Sequence, residues 1–153
     1  MRVSAKTDYA LRAAVELAAA ADGSVPIKGE RLATSQAIPL RFLENILLQL
    51  RHAGIVESRR GADGGYRLAR PAAEITLADV IRAIDGPLAN VSGARPETLD
   101  FQGSSEPLRD VWIAVRASLR SVLERVTLAD VAAGDLPEHV QELVGDRDAW
   151  LSR

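Results

Sequence analysis

IPLRFLENILLQLRHAGIVESRRGADGGYRLARP, residues 38–71, is the stretch whose reading decides the fold. Pro39 stands at a helix start, where its fixed φ and missing N–H cost nothing. Leu40, Leu43, Ile46, Leu47 and Leu50 follow at steps of three, three, one and three, which is one apolar stripe of a helix predicted from Pro39 to about Ala53. Gly54 stops that helix in the position after its cap. The period then changes. Residues 55–59 read as a strand, Gly61-Ala62-Asp63-Gly64-Gly65 as a turn rich in residues that accept positive φ, and residues 66–69 as the returning strand, closed by Pro71.

Outward from this helix and hairpin the pattern is helical. A first helix is predicted from about Thr7 to Ala20, capped by Ser4 or Thr7, with Asp8 in its first turn. Leu11, Ala14, Val15 and Ala18 are its expected apolar face, and Asp22-Gly23-Ser24 ends it. Pro26 and Ile27 begin a new element. A short helix from about Lys28 to Ser35 turns Leu32 and Ala33 inward, and Gln36-Ala37-Ile38 is a turn. Downstream, Thr76-Leu77-Ala78-Asp79 resembles a capping box opening a fourth helix that ends near Asp85-Gly86-Pro87. Residues 88–106 are polar and rich in Gly, Ser and Pro, and read as a long loop.

From Pro107, Leu108, Trp112, Val115, Leu119, Val122 and Val126 alternate steps of four and three, a heptad seam. Burying such a seam is worth on the order of 10 kcal/mol gross, and a hairpin is too small to cover it. A matching helix from a second copy is the expected partner; an intrachain core helix is the alternative. After Thr127 a short helical turn over residues 128–133 and an acidic, mobile tail are expected, with Trp150 either docked or exposed. The predicted fold is mainly α with a small β-hairpin: a winged helix-turn-helix domain (1–87), a loop (88–106), a dimerisation helix region (107–133) and an acidic tail (134–153).

Composition narrows the chemistry. Of 153 residues 47% are hydrophobic and 26% charged, as in a soluble globular protein. There is no cysteine, which excludes disulfides, thiolate nucleophiles, Cys-ligated zinc and Cys-held iron–sulfur clusters. His52 and His139 cannot form a metal site alone. No GxSxG, P-loop or dinucleotide fingerprint is present, so no enzyme is expected. Residues 1–9 are polar with no apolar core, and the Ala-rich run at 18–21 is far too short to span a bilayer. A cytoplasmic protein without a membrane partner is the expectation. The net charge of −2 hides a split. Residues 1–71 hold 11 Lys and Arg against 7 Asp and Glu, a net of +4; residues 72–153 hold 8 against 14, a net of −6. Such asymmetry suggests that the first half meets an anion.

A short helix, a tight turn and a longer helix with polar residues in its first turns is the helix-turn-helix layout, whose second helix enters the major groove of double-stranded DNA. Arg41, Glu44 and Asn45 would be exposed there, with Leu40 and Leu43 facing the core. Arg pairs with guanine, Asn with adenine and Glu with cytosine. Arg59 and Arg60 beside the small residues of the hairpin tip suit a narrow minor groove, with Gly64 and Gly65 letting the backbone pass close to phosphate. Lys6, Lys28, Arg51 and Arg67 are candidates for phosphate contacts. The plain alternative is an ordinary αα-hairpin with a solvated charged face.

MRVSAKTDYALRAAVEL (1–17), the 38–71 stretch with its RGADGGYRLAR segment, and ITLADVIRAIDGP (75–87) together resemble the Rrf family of bacterial winged helix-turn-helix transcription regulators. The resemblance implies a homodimer with the wing and the helix from Pro39 on DNA and the long helices crossed between subunits. It implies base-reading roles for Arg41 and Glu44, and a minor-groove role for Arg60. Many members carry three cysteines between the fourth helix and the dimer helix, and these bind an iron–sulfur cluster. This chain departs from that pattern, with none across residues 91–106. Asp8 stands where some relatives supply a carboxylate ligand, and is expected instead to cap its helix or form a salt bridge. The expectation is a cluster-free, homodimeric, sequence-specific repressor on a pseudo-palindromic operator, with no cofactor and no metal. The alternatives are a regulator that senses a metabolite or partner protein through the 88–106 loop and the junction near Tyr9, Trp112 and the fourth helix, or a dimeric interaction module without DNA binding.

Overall fold

The computed structural model describes residues 3–20 and 24–152. In chain order the elements are α1 (Ala5–Ala19), α2 (Gly29–Gln36), α3 (Leu40–His52), β1 (Val56–Arg59), β2 (Gly65–Leu68), α4 (Leu77–Asp85), α5 (Leu108–Leu123), α6 (Leu128–Ala133) and α7 (Glu138–Gly145). The fold is mostly helical with one two-stranded antiparallel hairpin.

The Ser4 side chain caps α1 by accepting from the Thr7 N–H at 3.1 Å, satisfying a donor that the first turn leaves open. The buried face of α1 is Thr7, Ala10, Ala13, Ala14, Leu17 and Ala18. The face expected from the sequence was rotated: Leu11 and Val15 are only half-buried at its margin. The expected stop at Asp22-Gly23 lies outside the described residues. Helices α2, α3, α4 and α6 and strand β2 all pack on α1.

Helix α2 delivers Leu32 and Ala33 to the core, as expected. Ala37 adopts a left-handed conformation (φ 52°), and the Ile38 N–H then closes on the Ala33 carbonyl at 2.9 Å. This is the tight turn that swings the chain into α3. Pro39 is the cap residue of α3 and not its first helical residue. Leu43, Ile46, Leu47 and Leu50 are buried, but Leu40, expected inside, is 37% exposed. It lies in the first turn, where the helix has not yet reached the core. Gly54 follows the cap with φ 71°, as a residue without Cβ can.

The hairpin pairs Val56 with Leu68, Glu57 with Arg67, Ser58 with Tyr66 and Arg59 with Gly65. Gly65, assigned to the turn by its sequence, is the first residue of β2.

Thr76 and Asp79 form the expected capping box of α4. Thr127 and Asp130 form a second, identical one at α6. The two caps face each other: the Leu77 N–H donates to the Val126 carbonyl and the Leu128 N–H to the Ile75 carbonyl, both at 2.9 Å. Thr76 and Thr127 thus form an antiparallel bridge. Val126, read from sequence as the end of the helical seam, lies beyond α5 and is buried at 2% exposure beside this bridge. Helix α6 packs on α1, and Leu128 is fully buried in the same core.

Between the caps the chain makes an excursion. Residues 88–106 contain single helical turns at Pro96–Thr98 and Gly103–Ser105, and Leu88 and Pro96 are buried, so the expected loop has structure of its own. Helix α5 buries no residue completely; Leu108, Val111 and Val115 are exposed, while Trp112, Leu119 and Val122 are half-buried. The tail expected to be mobile instead forms α7 and a turn at Arg147–Trp150, where the Trp150 indole N–H donates to the Val144 carbonyl at 2.7 Å. The Trp150 ring itself is 74% exposed.

Leu128→Ala should destabilise the protein by about 2–5 kcal/mol, the cost of a cavity under α1. Val144→Ala, on an exposed position of α7, should stay within about 0.5 kcal/mol of the parent. Urea denaturation curves of the two variants check the contrast.

Candidate nucleic-acid interface

Arg41, Glu44 and Asn45 occupy the first two turns of α3, and all three are exposed. Positions i, i+3 and i+4 share one helix face, so the sequence pattern brings these side chains together on the surface away from the buried leucines. Asn45 receives a hydrogen bond from the Gln49 side chain at 3.4 Å, which leaves its own amide group available. Behind this face the Phe42 ring meets Tyr9 edge-on, with centroids 5.7 Å apart, and Arg12 lies 4.7 Å over the Tyr9 ring. Tyr9 therefore supports α3.

Arg59 and Arg60 stand exposed at the hairpin tip. The tip is fixed from three sides. The Ile27 and Tyr66 backbones exchange hydrogen bonds at 2.8 and 2.7 Å, adding a third row to the hairpin. The Lys28 ammonium reaches the Gly61 carbonyl at 3.4 Å. The Arg51 guanidinium donates to the Ser58 hydroxyl at 3.1 Å, tying the end of α3 to β1. The glycines are required by space. A Cβ on Gly64 would sit 2.2 Å from the Arg59 carbonyl oxygen, and one on Gly65 would sit 2.5 Å from the Ile27 carbonyl oxygen. Gly65 also holds φ 145°, which side chains rarely adopt.

The structure sorts the other candidate cations. Lys6 is half-buried on α1. Lys28 and Arg51 are exposed beside the hairpin, each with one tether. Arg67 is paired across the strands with Glu57 through its Nε, a contact that fixes register. Arg41, Arg59 and Arg60 have no ion-pair partner among the described residues, whereas Arg82, Arg116 and Arg120 are all paired. The first turns of α3 and the hairpin tip thus present their guanidiniums to solvent. The Ile27 row was missed from sequence because one bridging residue has no periodicity; Gly64-Gly65 was its only signal.

The profile of the Rrf2 family, described as "Iron-dependent Transcriptional regulator", matches residues 3–134. A candidate HTH-type transcriptional regulator of Mycobacterium tuberculosis is 56% identical over 99% of this chain and 94% of its own length. The HTH-type transcriptional regulator CymR of Bacillus subtilis is 35% identical over 87% of this chain and 91% of its own. Among solved structures, CymR, the global cysteine regulator of B. subtilis, superposes with a TM-score of 0.74 at 33% identity, covering 88% of this chain and 98% of that one. T. potens IscR gives 0.66 at 31% identity, covering 100% and 93%.

The family description names iron, and the donor set of this chain does not fit it. No thiolate is available, and no three His, Cys, Asp or Glu residues converge among the described residues. In the 88–106 segment Glu97 is already bound by Arg116, and Asp8 on α1 is paired with Arg12 at 2.7 Å. The salt-bridge role expected for Asp8 is the one observed.

Gly65→Ala should break the Ile27–Tyr66 row at a cost of roughly 1–3 kcal/mol, from strain at this backbone position. The measurement is amide hydrogen exchange at Ile27 and Tyr66, which should accelerate relative to the amides of α1.

Proposed function

The chain belongs to the Rrf2 family of transcriptional regulators, and on that premise we propose that it is a homodimeric, sequence-specific DNA-binding repressor that works without an iron–sulfur cluster. It is a regulator and not an enzyme. The observation that carries the finer reading is the set of exposed, unpaired guanidiniums on α3 and the hairpin tip. In this reading α3 lies in the major groove. Arg41 takes guanine O6 and N7, Asn45 takes adenine and Glu44 accepts from cytosine N4. Arg60 enters the minor groove, where a narrow A/T-rich segment concentrates negative potential. Arg59, Lys6, Lys28 and Arg51 contact phosphate, while Gly64 and Gly65 serve the site by letting the hairpin pack on Arg59 and Ile27.

Two copies are needed to read a pseudo-palindrome with half-sites about 34 Å or a multiple apart. The apolar groove of α5, a space of about 770 Å³ lined by Val111, Val115, Leu119, Val122 and Leu143, supports pairing between copies. An isologous contact lets the same stripe face itself across a two-fold axis. Repression follows where the operator overlaps a promoter.

Two measurements test this. Affinity for DNA from upstream of the protein's own gene should exceed that for random duplex and fall steeply with salt, because each neutralised phosphate releases counterions. Arg60→Ala should weaken it by about tenfold and flatten the preference for A/T at the wing-contacted steps. Equal affinity for both duplexes at moderate salt would overturn sequence-specific reading, and binding to neither would leave only an interaction module without DNA binding. Separately, Val115→Glu should convert the dimer to monomer in sedimentation velocity while the helical circular dichroism signal persists.

A further inference from the structure

Four arginines of the second half converge on one place. Arg82 at the end of α4, Arg95 before the Pro96–Thr98 turn, and Arg116 and Arg120 on α5 line a cleft of about 240 Å³ with Leu88 and Glu97. Their acceptors are few. Arg116 holds Glu97, while Arg82 and Arg120 both donate to the same oxygen, Oε1 of Glu124, the latter at 2.9 Å. Arg95 has no ion-pair partner among the described residues. Four guanidiniums therefore face two carboxylates, a local charge of +2 inside a half-chain whose net charge is −6. Four of the eight cations of residues 72–153 line this single cleft. A guanidinium carries five N–H donors in a planar fork that matches the spacing of two oxygens. One carboxylate oxygen shared by two arginines leaves most of those donors directed at solvent.

We propose that this cleft binds a tetrahedral oxoanion, of the phosphate or sulfate type, held by Arg95 and Arg116 and flanked by Arg82 and Arg120. Glu97 occupies Arg116 in the anion's absence, and an oxoanion displaces it by offering more oxygens and a second charge. Bound there, the anion joins three elements: α4, which packs on α1; the 88–106 segment; and α5, which carries the apolar groove. Resting on the regulator reading above, the same contact fixes α5 against the DNA-facing head and makes the anion an input to operator binding.

The test uses the full chain without DNA. Sodium phosphate and sodium sulfate are titrated against sodium chloride at matched ionic strength, with thermal unfolding and calorimetry as readouts. A ligand that binds the folded state alone raises Tm saturably, and such a rise is expected for the oxoanions but not for chloride. Arg95→Gln should weaken the apparent affinity by about tenfold, the loss of one charge-assisted contact. Glu97→Gln should act in the opposite direction and tighten it, because Arg116 loses its internal partner. Arg95 is exposed and unpaired, so its replacement leaves the fold intact, and circular dichroism verifies this for both variants. A response matched by chloride, saturation by malonate but by neither oxoanion, or variant affinities within twofold of the parent would overturn the assignment. Operator binding is then compared with and without sulfate. Failure of saturable anion binding counts against this site alone, and failure to bind upstream DNA under any condition counts against the regulator reading alone.

Discussion

Everything in the head depends on how closely its helices approach α1. Ala10, Ala13 and Ala14 are fully buried, and helices α2, α3, α4 and α6 with strand β2 all contact this one helix. Interaxial distance is set by the side chains at the contact, and alanine gives the short end of the 8–10 Å range. A larger residue at any of the three positions would push an entire helix outward, because interiors are packed without spare volume. The direction of α3 is thus fixed by residues that carry no chemistry. The polar end of α1 is fixed as well: Thr7, fully buried, donates to Asp85 at 2.5 Å, and Ser4 donates to the same carboxylate at 3.0 Å. This knot joins the first turn of α1 to the last turn of α4.

Charge is distributed as an extension of the same architecture. The surface formed by α3 and the hairpin keeps Arg41, Arg59 and Arg60 unneutralised among the described residues. Elsewhere, ion pairs do local fastening. Glu97 is held below the ordinary glutamate value of 4.5 by its own backbone N–H and by Arg116, and Glu124 by Arg82 and Arg120. These pairs are too exposed to contribute much to stability. Their effect is geometric, since they hold the 88–106 segment and α4 against α5.

Local rules made much of this legible from sequence. The α3 stripe follows from the spacing of Leu43, Ile46, Leu47 and Leu50, the hairpin from its glycines, and the α4 cap from Thr76 and Asp79. Leu40 was misplaced because periodicity assigns a face and says nothing of where along the helix the core begins. Val126 was misplaced because its heptad spacing continues past the point where α5 stops. The tail was read as mobile on charge alone, though Val140, Leu143 and Val144 give α7 an apolar side. Larger omissions have one cause, which is that they depend on residues far apart in the chain. The repeat of Thr76-Leu77-Ala78-Asp79-Val80 at 127–131 signals a second cap, but nothing in it announces that the two caps meet. No local pattern announces that arginines at 82, 95, 116 and 120 share a cleft. Arg41, Glu44 and Asn45 share one helix face and Arg59 and Arg60 one hairpin tip, and for that reason they were visible.

The paired caps have a topological consequence. Residues 75–77 and 126–128 are stitched by two backbone hydrogen bonds; α4 leaves this seam packed on α1 as part of the head, and residues 86–125 run out from the end of α4 and return to the seam. The excursion behaves like the handle of a cup. Its length and contents can be exchanged as a cassette while both attachment points, and every register inside the head, stay where they are. The entropy of closing such a loop grows only slowly with its length, so a longer or shorter handle changes the cost little. Change in the handle is thereby uncoupled from change in the head.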